Sequence, residues 1–305
     1  MHSAKLLRQT VTETLVQAIS SGKTPPWRKP WCTGPNSGAP ANIDTAKPYR
    51  GVNPLLLQVH ADHFGFQSKW WGTFKQWQSR GCQVKKRPSD VRNGLWGCRV
   101  VFYSPRTRTV VTPSGEDHTQ RFFLLRSFVV FNADQVEGAG QWQLQAPRDQ
   151  PVPLDCDPAE RLIAGTGAVI RYGGTKACYS ADEDAVYLPH RFLFSPVTAF
   201  YETAFHELAH WGERRLGWRR DDSRYALGEL IAELASVFVC QGLGIPVSET
   251  IMNHAGYLEH WLDQMRQDSH YIFVASQQAS SVADYLLRFA SADPTVGKEP
   301  SLLTA

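Results

Sequence analysis

Between Phe205 and Trp211 the chain reads Phe-His-Glu-Leu-Ala-His-Trp, and this spacing restricts the fold more than any other feature of the sequence. Two imidazoles four positions apart are close neighbours on one face of a helix, whereas on an extended strand they stand too far apart to share an ion. His206 and His210 can then aim nitrogens at one metal ion about 2 Å away. Glu207 is rotated off that line, toward a metal-bound water whose pKa the metal lowers and whose proton a carboxylate can take. A chain with this content of His and Glu produces the pattern by accident about once in seventy. The flanks also argue for a helix, since Tyr201 to Leu216 contains no Pro and no Gly before Gly212.

A hydrolytic zinc site ordinarily takes three protein ligands, so a further donor is expected downstream. The metzincin extension is absent, because Glu213 stands where it needs Gly and Leu216 where it needs His. A second helical pattern from Tyr225 to Ser236 carries Glu229 and Glu233 on one face of an otherwise apolar stripe. Two carboxylates there need a reason to be buried. One can bind the metal, and the other can accept a hydrogen bond from the far nitrogen of a ligand histidine. The spacing of Glu229 from His210 resembles that of thermolysin-like glutamate zincins. It assigns Glu229 as ligand and Glu233 as outer partner, with the reverse order left open. Zinc is the expected metal, and manganese or cobalt can take the same donors. Tyr225, His254 and His260 are candidate oxyanion donors.

A length of 305 residues suits two domains, and the charge is divided between the two halves. Residues 1–150 hold 20 Lys and Arg against 9 Asp and Glu, whereas residues 151–305 hold 12 against 20. The basic half also contains seven of the ten Trp. Cations neutralise phosphates and flat rings stack on unpaired bases, so this half is expected to bind single-stranded nucleic acid. The interleaved candidates are Trp27, Arg28, Lys29 and Trp31; Tyr49, Arg50 and Asn53; Lys69, Trp70 and Lys75; and Lys85, Lys86 and Arg87. The six cysteines have no Cys-x-x-Cys pair and read as separate reduced thiols. No apolar run approaches the roughly 18 residues that span a bilayer, and Met1 to Gln17 is amphipathic rather than a signal sequence. The expected location is the cytoplasm, with no membrane partner.

The pattern predicts an opening helix over Ala4–Ser20, a weakly structured stretch over Thr24–Pro48, and helices over Leu55–His63 and Thr73–Ser79. Strands are expected over Gly97–Tyr103 and Arg121–Phe131, joined by a polar loop from Ser104 to Thr119. The pattern lapses around Asp134 to Asp157. This divides the chain into a domain over 1–140, a linker over 141–157, a second domain over 158–290 and a tail over 291–305. The second domain reads as a helix near Pro158–Gly165, strands near Ala168–Tyr172, Ala177–Ser180 and Ala185–Leu188, the two metal helices, and closing helices near Ser248–Gln267 and Ser276–Phe289.

The strings TPPWRKPW, PYRGVNPLLL, KWWGTFKQWQSRGCQVKK and VVFNADQVEG resemble the N-terminal domain of ArdC-type antirestriction proteins, relatives of the TraC plasmid primases. CYSADEDAVYLPHRFLF, TAFHELAHWGERRLGW and GELIAELAS resemble the metallopeptidase-like domain of the same family. The resemblance implies an α+β chain of two domains, an N-terminal α+β single-stranded DNA-binding domain and a C-terminal zincin-like metallopeptidase domain. It also implies a plasmid-carried protein that binds single-stranded DNA and shields incoming conjugative DNA from the recipient's restriction enzymes. Host restriction enzymes or another protein substrate are further candidate partners. The alternatives are an active DNA-associated zinc metalloprotease and a replication or priming accessory protein, although the chain shows no P-loop and no evident acidic triad.

Overall fold

The computed structural model describes residues 2–21, 25–28, 36–111, 117–144, 156–218, 225–248 and 255–291. The chain divides into two compact units, the first formed by residues 1–26 and 34–146 and the second by residues 27–33 and 147–305. A short segment from within the first 140 residues thus belongs to the second unit, which a division at a single linker does not anticipate.

The first unit opens with α1 (His2–Ser21), whose Val11, Leu15 and Ile19 recur at four-residue spacing and are buried. α2 (Asn53–Phe64) starts with a proline in its first turn and ends at Gly65, whose φ of 73° is left-handed. β1 (Ala41–Asn42) runs parallel to β2 (Trp70–Gly72), and β2 pairs antiparallel with β5 (Asp117–Asn132). β5 in turn forms a long hairpin with β4 (Cys98–Val111), so β4 is the edge of a four-stranded sheet. The side chain of Asn53 covers that edge, accepting from the Val101 amide and donating to the Val101 carbonyl, both at 2.8 Å.

Beside the sheet, α3 (Phe74–Gln78) begins with a capping box between Thr73 and Gln76. It presents Trp77 to a core of Ile43, Cys82, Ala133, Val136 and Ala139. A Cβ at Gly72 would stand 2.5 Å from Ile43 Cγ2, so only glycine allows β2 to approach this cluster. β3 (Gln83–Val84) pairs antiparallel with β6 (Val136–Glu137).

Two expectations are corrected here. The stretch read as a polar loop, Ser104 to Thr119, is mostly strand, because the β4–β5 ladder runs on to Val111 opposite Asp117. The lapse in pattern at Asp134 is not yet a linker. Asn132 caps a short 3-10 turn there, and β6 follows it as part of the first unit.

The second unit has α4 (Asp157–Gly165) followed by a three-stranded sheet of β7 (Val169–Tyr172), β8 (Cys178–Ser180) and β9 (Ala185–Leu188). β9 lies in the middle, parallel to β7 and antiparallel to β8, which leaves β8 as an edge. The helices α5 (Thr198–Arg215), α6 (Tyr225–Leu243), α7 (Ala255–Gln267) and α8 (Tyr271–Ser291) complete the unit, with α6 packed on both α5 and α8. α7 begins later than the expected Ser248, and 249–254 lie outside the described residues; α8 begins earlier than Ser276. By length and mean hydropathy α6 could cross a membrane, but 72% of its apolar window is buried and Glu229 and Glu233 interrupt its apolar run. It is the core helix of this unit.

In the first unit His60 packs among Phe64, Phe66 and Trp71, and its Nε2 faces the Trp96 carbonyl at 3.3 Å. Burial holds its pKa down at about 4, against 6.5 for a free imidazole. Because the folded ring resists a proton that the unfolded chain accepts, stability is full above about pH 6.5 and falls as the pH drops toward 4. For a partly exposed ring the loss at pH 5 is on the order of 1–2 kcal/mol. Thermal unfolding at pH 7 and pH 5 should show a smaller pH difference for His60→Gln than for the wild type, and equal differences would refute the assignment.

Candidate metal centre

The helix that the His-Glu-x-x-His spacing requires is α5, and it is buried along most of its length. His206 and His210 point their Nε2 atoms at each other across 3.1 Å. Glu229, from the facing helix α6, sets Oε2 at 3.4 Å from His206 Nε2 and Oε1 at 3.5 Å from His210 Nε2. Donors held tetrahedrally about 2.0–2.1 Å from one ion stand roughly 3.3–3.4 Å apart, and these contacts are near that value, with Glu229 facing each imidazole through a different oxygen. The donor atoms of all three residues lie within 4.8 Å of one another, and all three side chains are buried. A single proton can bridge two imidazole nitrogens, but a carboxylate reaching both of them fits a shared cation. The residues therefore fit a divalent metal.

A cleft of about 890 Å³ opens on these donors and is lined by both histidines, Glu207, Glu229, edge strand β8, Tyr225 and Tyr257. Of the three proposed oxyanion donors, Tyr225 lines this cleft, His260 is exposed on α7, and His254 lies outside the described residues. The Tyr225 and Tyr257 rings are 6.0 Å apart, and the Tyr225 hydroxyl is pushed well up by its hydrogen bond to Tyr257, by burial and by Glu229. Behind His210, Glu213 sets a carboxylate oxygen 3.8 Å from Nδ1. Burial, with the Glu229 charge, pushes Glu213 up to about 8.

Glu233 stands in a different place from the one its spacing suggested. It accepts from Arg28 Nε at 2.5 Å, from Arg28 Nη2 at 2.7 Å and from Trp27 Nε1 at 3.2 Å. Arg28 Nη1 also donates to Glu202 at 3.0 Å, and Glu202 takes the Ser248 amide on its other oxygen. Burial works against the Arg28 charge, but the two carboxylates more than offset it and hold its pKa above the usual value. For Glu202 the balance is reversed: burial outweighs its share of Arg28 and keeps its pKa raised. The two shifts agree once one cation serves two carboxylates, with Glu233 holding the bidentate contact.

These contacts correct part of the nucleic-acid assignment. Trp27 is 1% exposed and Arg28 6%, both within the second unit, so neither offers a ring or a charge to a strand. Lys29 and Trp31 lie outside the described residues. Asn53 is committed to β4, and Trp70 is half-buried with its Nε1 donating to Asn36 at 2.7 Å. Tyr49 is half-buried beside Asn42, and burial pushes its hydroxyl up to about 12. Lys69 is also half-buried, 4.9 Å over the Trp70 ring, and burial lowers its pKa. Arg50, Lys75, Lys85, Lys86 and Arg87 are exposed on the first unit. Reading the sequence alone passes over Glu202, Glu213 and Tyr257. Helical spacing holds a signal for the first two, four before His206 and three after His210.

Comparison with known proteins agrees with this division. Residues 5–131 match the N-terminal domain of anti-restriction factor ArdC, and residues 157–278 match a zincin-like metallopeptidase family. The crystal structure of antirestriction ArdC protein from the R388 plasmid in its metal-free form is similar over 93% of this chain and 97% of that one, at 30% identity and a TM-score of 0.72. The chain belongs to the ArdC antirestriction family. The Mn(II)-bound R388 ArdC structure is similar with a TM-score of 0.70. An uncharacterized protein, y4eC, of Sinorhizobium fredii (strain NBRC 101917 / NGR234) is 32% identical over 91% of this chain and 90% of its own length. DNA primase TraC of Escherichia coli is 31% identical over 93% of this chain, which spans 27% of that longer protein.

Replacing Arg28 with Met should leave Glu202 and Glu233 buried without their cation, a loss on the order of 3–5 kcal/mol. Adding Glu202→Gln and Glu233→Gln to that variant should recover part of the stability. Thermal unfolding of the full chain reads both effects, and an Arg28→Met protein as stable as the wild type would overturn the account.

Proposed function

We propose that this protein binds incoming single-stranded conjugative DNA and shields it from restriction in the cytoplasm of the recipient bacterium. The observation that carries the reading is a match to the ArdC N-terminal domain over a half of the chain rich in Lys, Arg and Trp. Exposed Arg50, Lys75, Lys85, Lys86 and Arg87 are suited to phosphates, and affinity that depends on them weakens as salt rises.

In the second unit, His206, His210 and Glu229 are the residues that would hold a divalent metal. Zinc is the expected ion from this donor set; a relative has been solved with Mn(II), and cobalt suits the same ligands. When bound, the metal supplies Lewis acidity and a water of lowered pKa. Arg28 neutralises carboxylates one turn from His206 and from Glu229, and so fixes the helices that carry the donors.

A second reading, peptide hydrolysis, is favoured by Glu207 lining the same cleft as edge strand β8. An extended peptide can pair with such an edge, Glu207 can hold and pass on a proton, and the Tyr225 hydroxyl can donate to a developing oxyanion. A host restriction enzyme or another protein would then be the substrate.

Conjugation into restricting recipients separates the two readings. If covering the DNA suffices, full-length Glu207→Ala keeps transfer protection, strand binding and Zn(II) binding. Loss of protection by a variant whose fold and Zn(II) affinity are unchanged would instead favour proteolysis. His210→Ala should weaken Zn(II) binding, measured by calorimetry, by more than the ~10–100-fold typical of losing an outer partner.

A further inference from the structure

The β4–β5 hairpin of the first unit is longer than the sheet it belongs to. β2 pairs with β5 only at Phe131 and Asn132, while the β4–β5 ladder runs from Cys98 opposite Val130 to Val111 opposite Asp117. Most of the hairpin is therefore a two-stranded ribbon by its backbone pairing, an arrangement that is marginal by itself in water.

Directly opposed residues share a face of an antiparallel pair, and alternate residues return to it. Cys98 with Val130, Val100 with Phe128, and Phe102 with Arg126 thus lie along one face. Its inner end is covered: Cys98, Val100 and Val130 are buried, and the Cys98 thiol lies 3.7 Å from the Leu56 carbonyl of α2. Its outer part is open, with Phe102 56% exposed, Phe128 46% exposed on the diagonal from it, and exposed Arg126 opposite Phe102. Diagonal neighbours on such a pair are about 7–8 Å apart, within reach of successive unstacked bases. Arg99 lies on the opposite face, opposed to Val129.

We infer that Phe102, Phe128 and Arg126 form a base-stacking surface for single-stranded DNA, the two rings taking bases and the guanidinium a phosphate. The inference rests on the DNA-binding reading above and locates that binding on the hairpin. Charge favours a polyanion over an apolar partner. Residues 98–132 contain Arg99, Arg106, Arg108, Arg121 and Arg126 against Glu116 and Asp117. Stacking favours a single strand over a duplex, because duplex bases already cover each other's faces.

The test is fluorescence anisotropy of the full-length protein with a fluorescein-labelled oligo(dT) of about 30 nucleotides, titrated at several salt concentrations. Phe102→Ala/Phe128→Ala should weaken binding about tenfold or more, with the salt dependence nearly unchanged. Phe102→Tyr/Phe128→Tyr, which keeps both rings, should bind within about twofold of the wild type, separating stacking from a general loss of structure. Arg126→Gln should make the slope of log affinity against log salt shallower by about 0.7, more than Arg99→Gln on the other face. If the wild type binds and the alanine variant, with an unchanged circular dichroism spectrum, binds equally well, the hairpin surface is refuted while the DNA-binding reading stands. Equal losses in the alanine and tyrosine variants would refute stacking. If the wild type itself does not bind the oligonucleotide, the broader reading fails and this one with it. A wild-type dimer that the alanine pair converts to a monomer with unchanged DNA affinity would assign the face to a second copy and overturn the proposal.

Discussion

Five glutamates on α5 and α6 are buried: Glu202, Glu207, Glu213, Glu229 and Glu233. That much negative charge in a packed interior is untenable unless something answers it, and the first answer is Arg28. Its planar guanidinium donates through Nε, Nη1 and Nη2 to two carboxylates on two helices, a contact that lysine's single ammonium could not reproduce. By spanning α5 and α6 it fixes the spacing of the two elements that carry the candidate metal donors. Fixed spacing matters here because a metal site needs its donors held within about 0.5 Å of the productive geometry.

The second answer is the metal proposed for His206, His210 and Glu229. The two are complementary. Arg28 serves Glu202 and Glu233, each one helical turn from a member of the donor triad, and Glu207 is left at the cleft. A cation fixed by the chain and a cation taken from solution would thus divide the charge between them. Burial raises the pKa of both Glu202 and Glu213, and the Glu229 charge adds to the rise at Glu213.

How much of this could be read from the sequence depends on the range of each interaction. The α5 donors sit four apart in one helix, and Glu229 follows on the next, so local periodicity was enough to gather them. Long-range pairing left no such signal. Nothing near Trp27 and Arg28 marks them as belonging to α6, and their company of Pro, Lys and Trp resembles a nucleic-acid patch. Burial likewise takes Trp71 and Trp77 into the core, since a tryptophan that stacks on a base and one that fills a core look the same in a string. The polar Ser-Pro-Arg-Thr-Arg-Thr stretch reads as loop by composition, yet its ladder is set by the partner strand.

The contact between Arg28 and Glu233 joins positions 205 residues apart, and this bears on how the protein is made. A ribosome releases the N-terminal segment first and, at about 5–20 residues per second, delivers its partners on α6 some tens of seconds later. During that interval Trp27 and Arg28 have no α6 to enter, although most of the first unit is already synthesised. The half that carries the candidate metal donors is therefore completed by a piece of chain that emerges long before it. A gene fusion that exchanged the N-terminal half for another would remove part of the interior of the half it left behind.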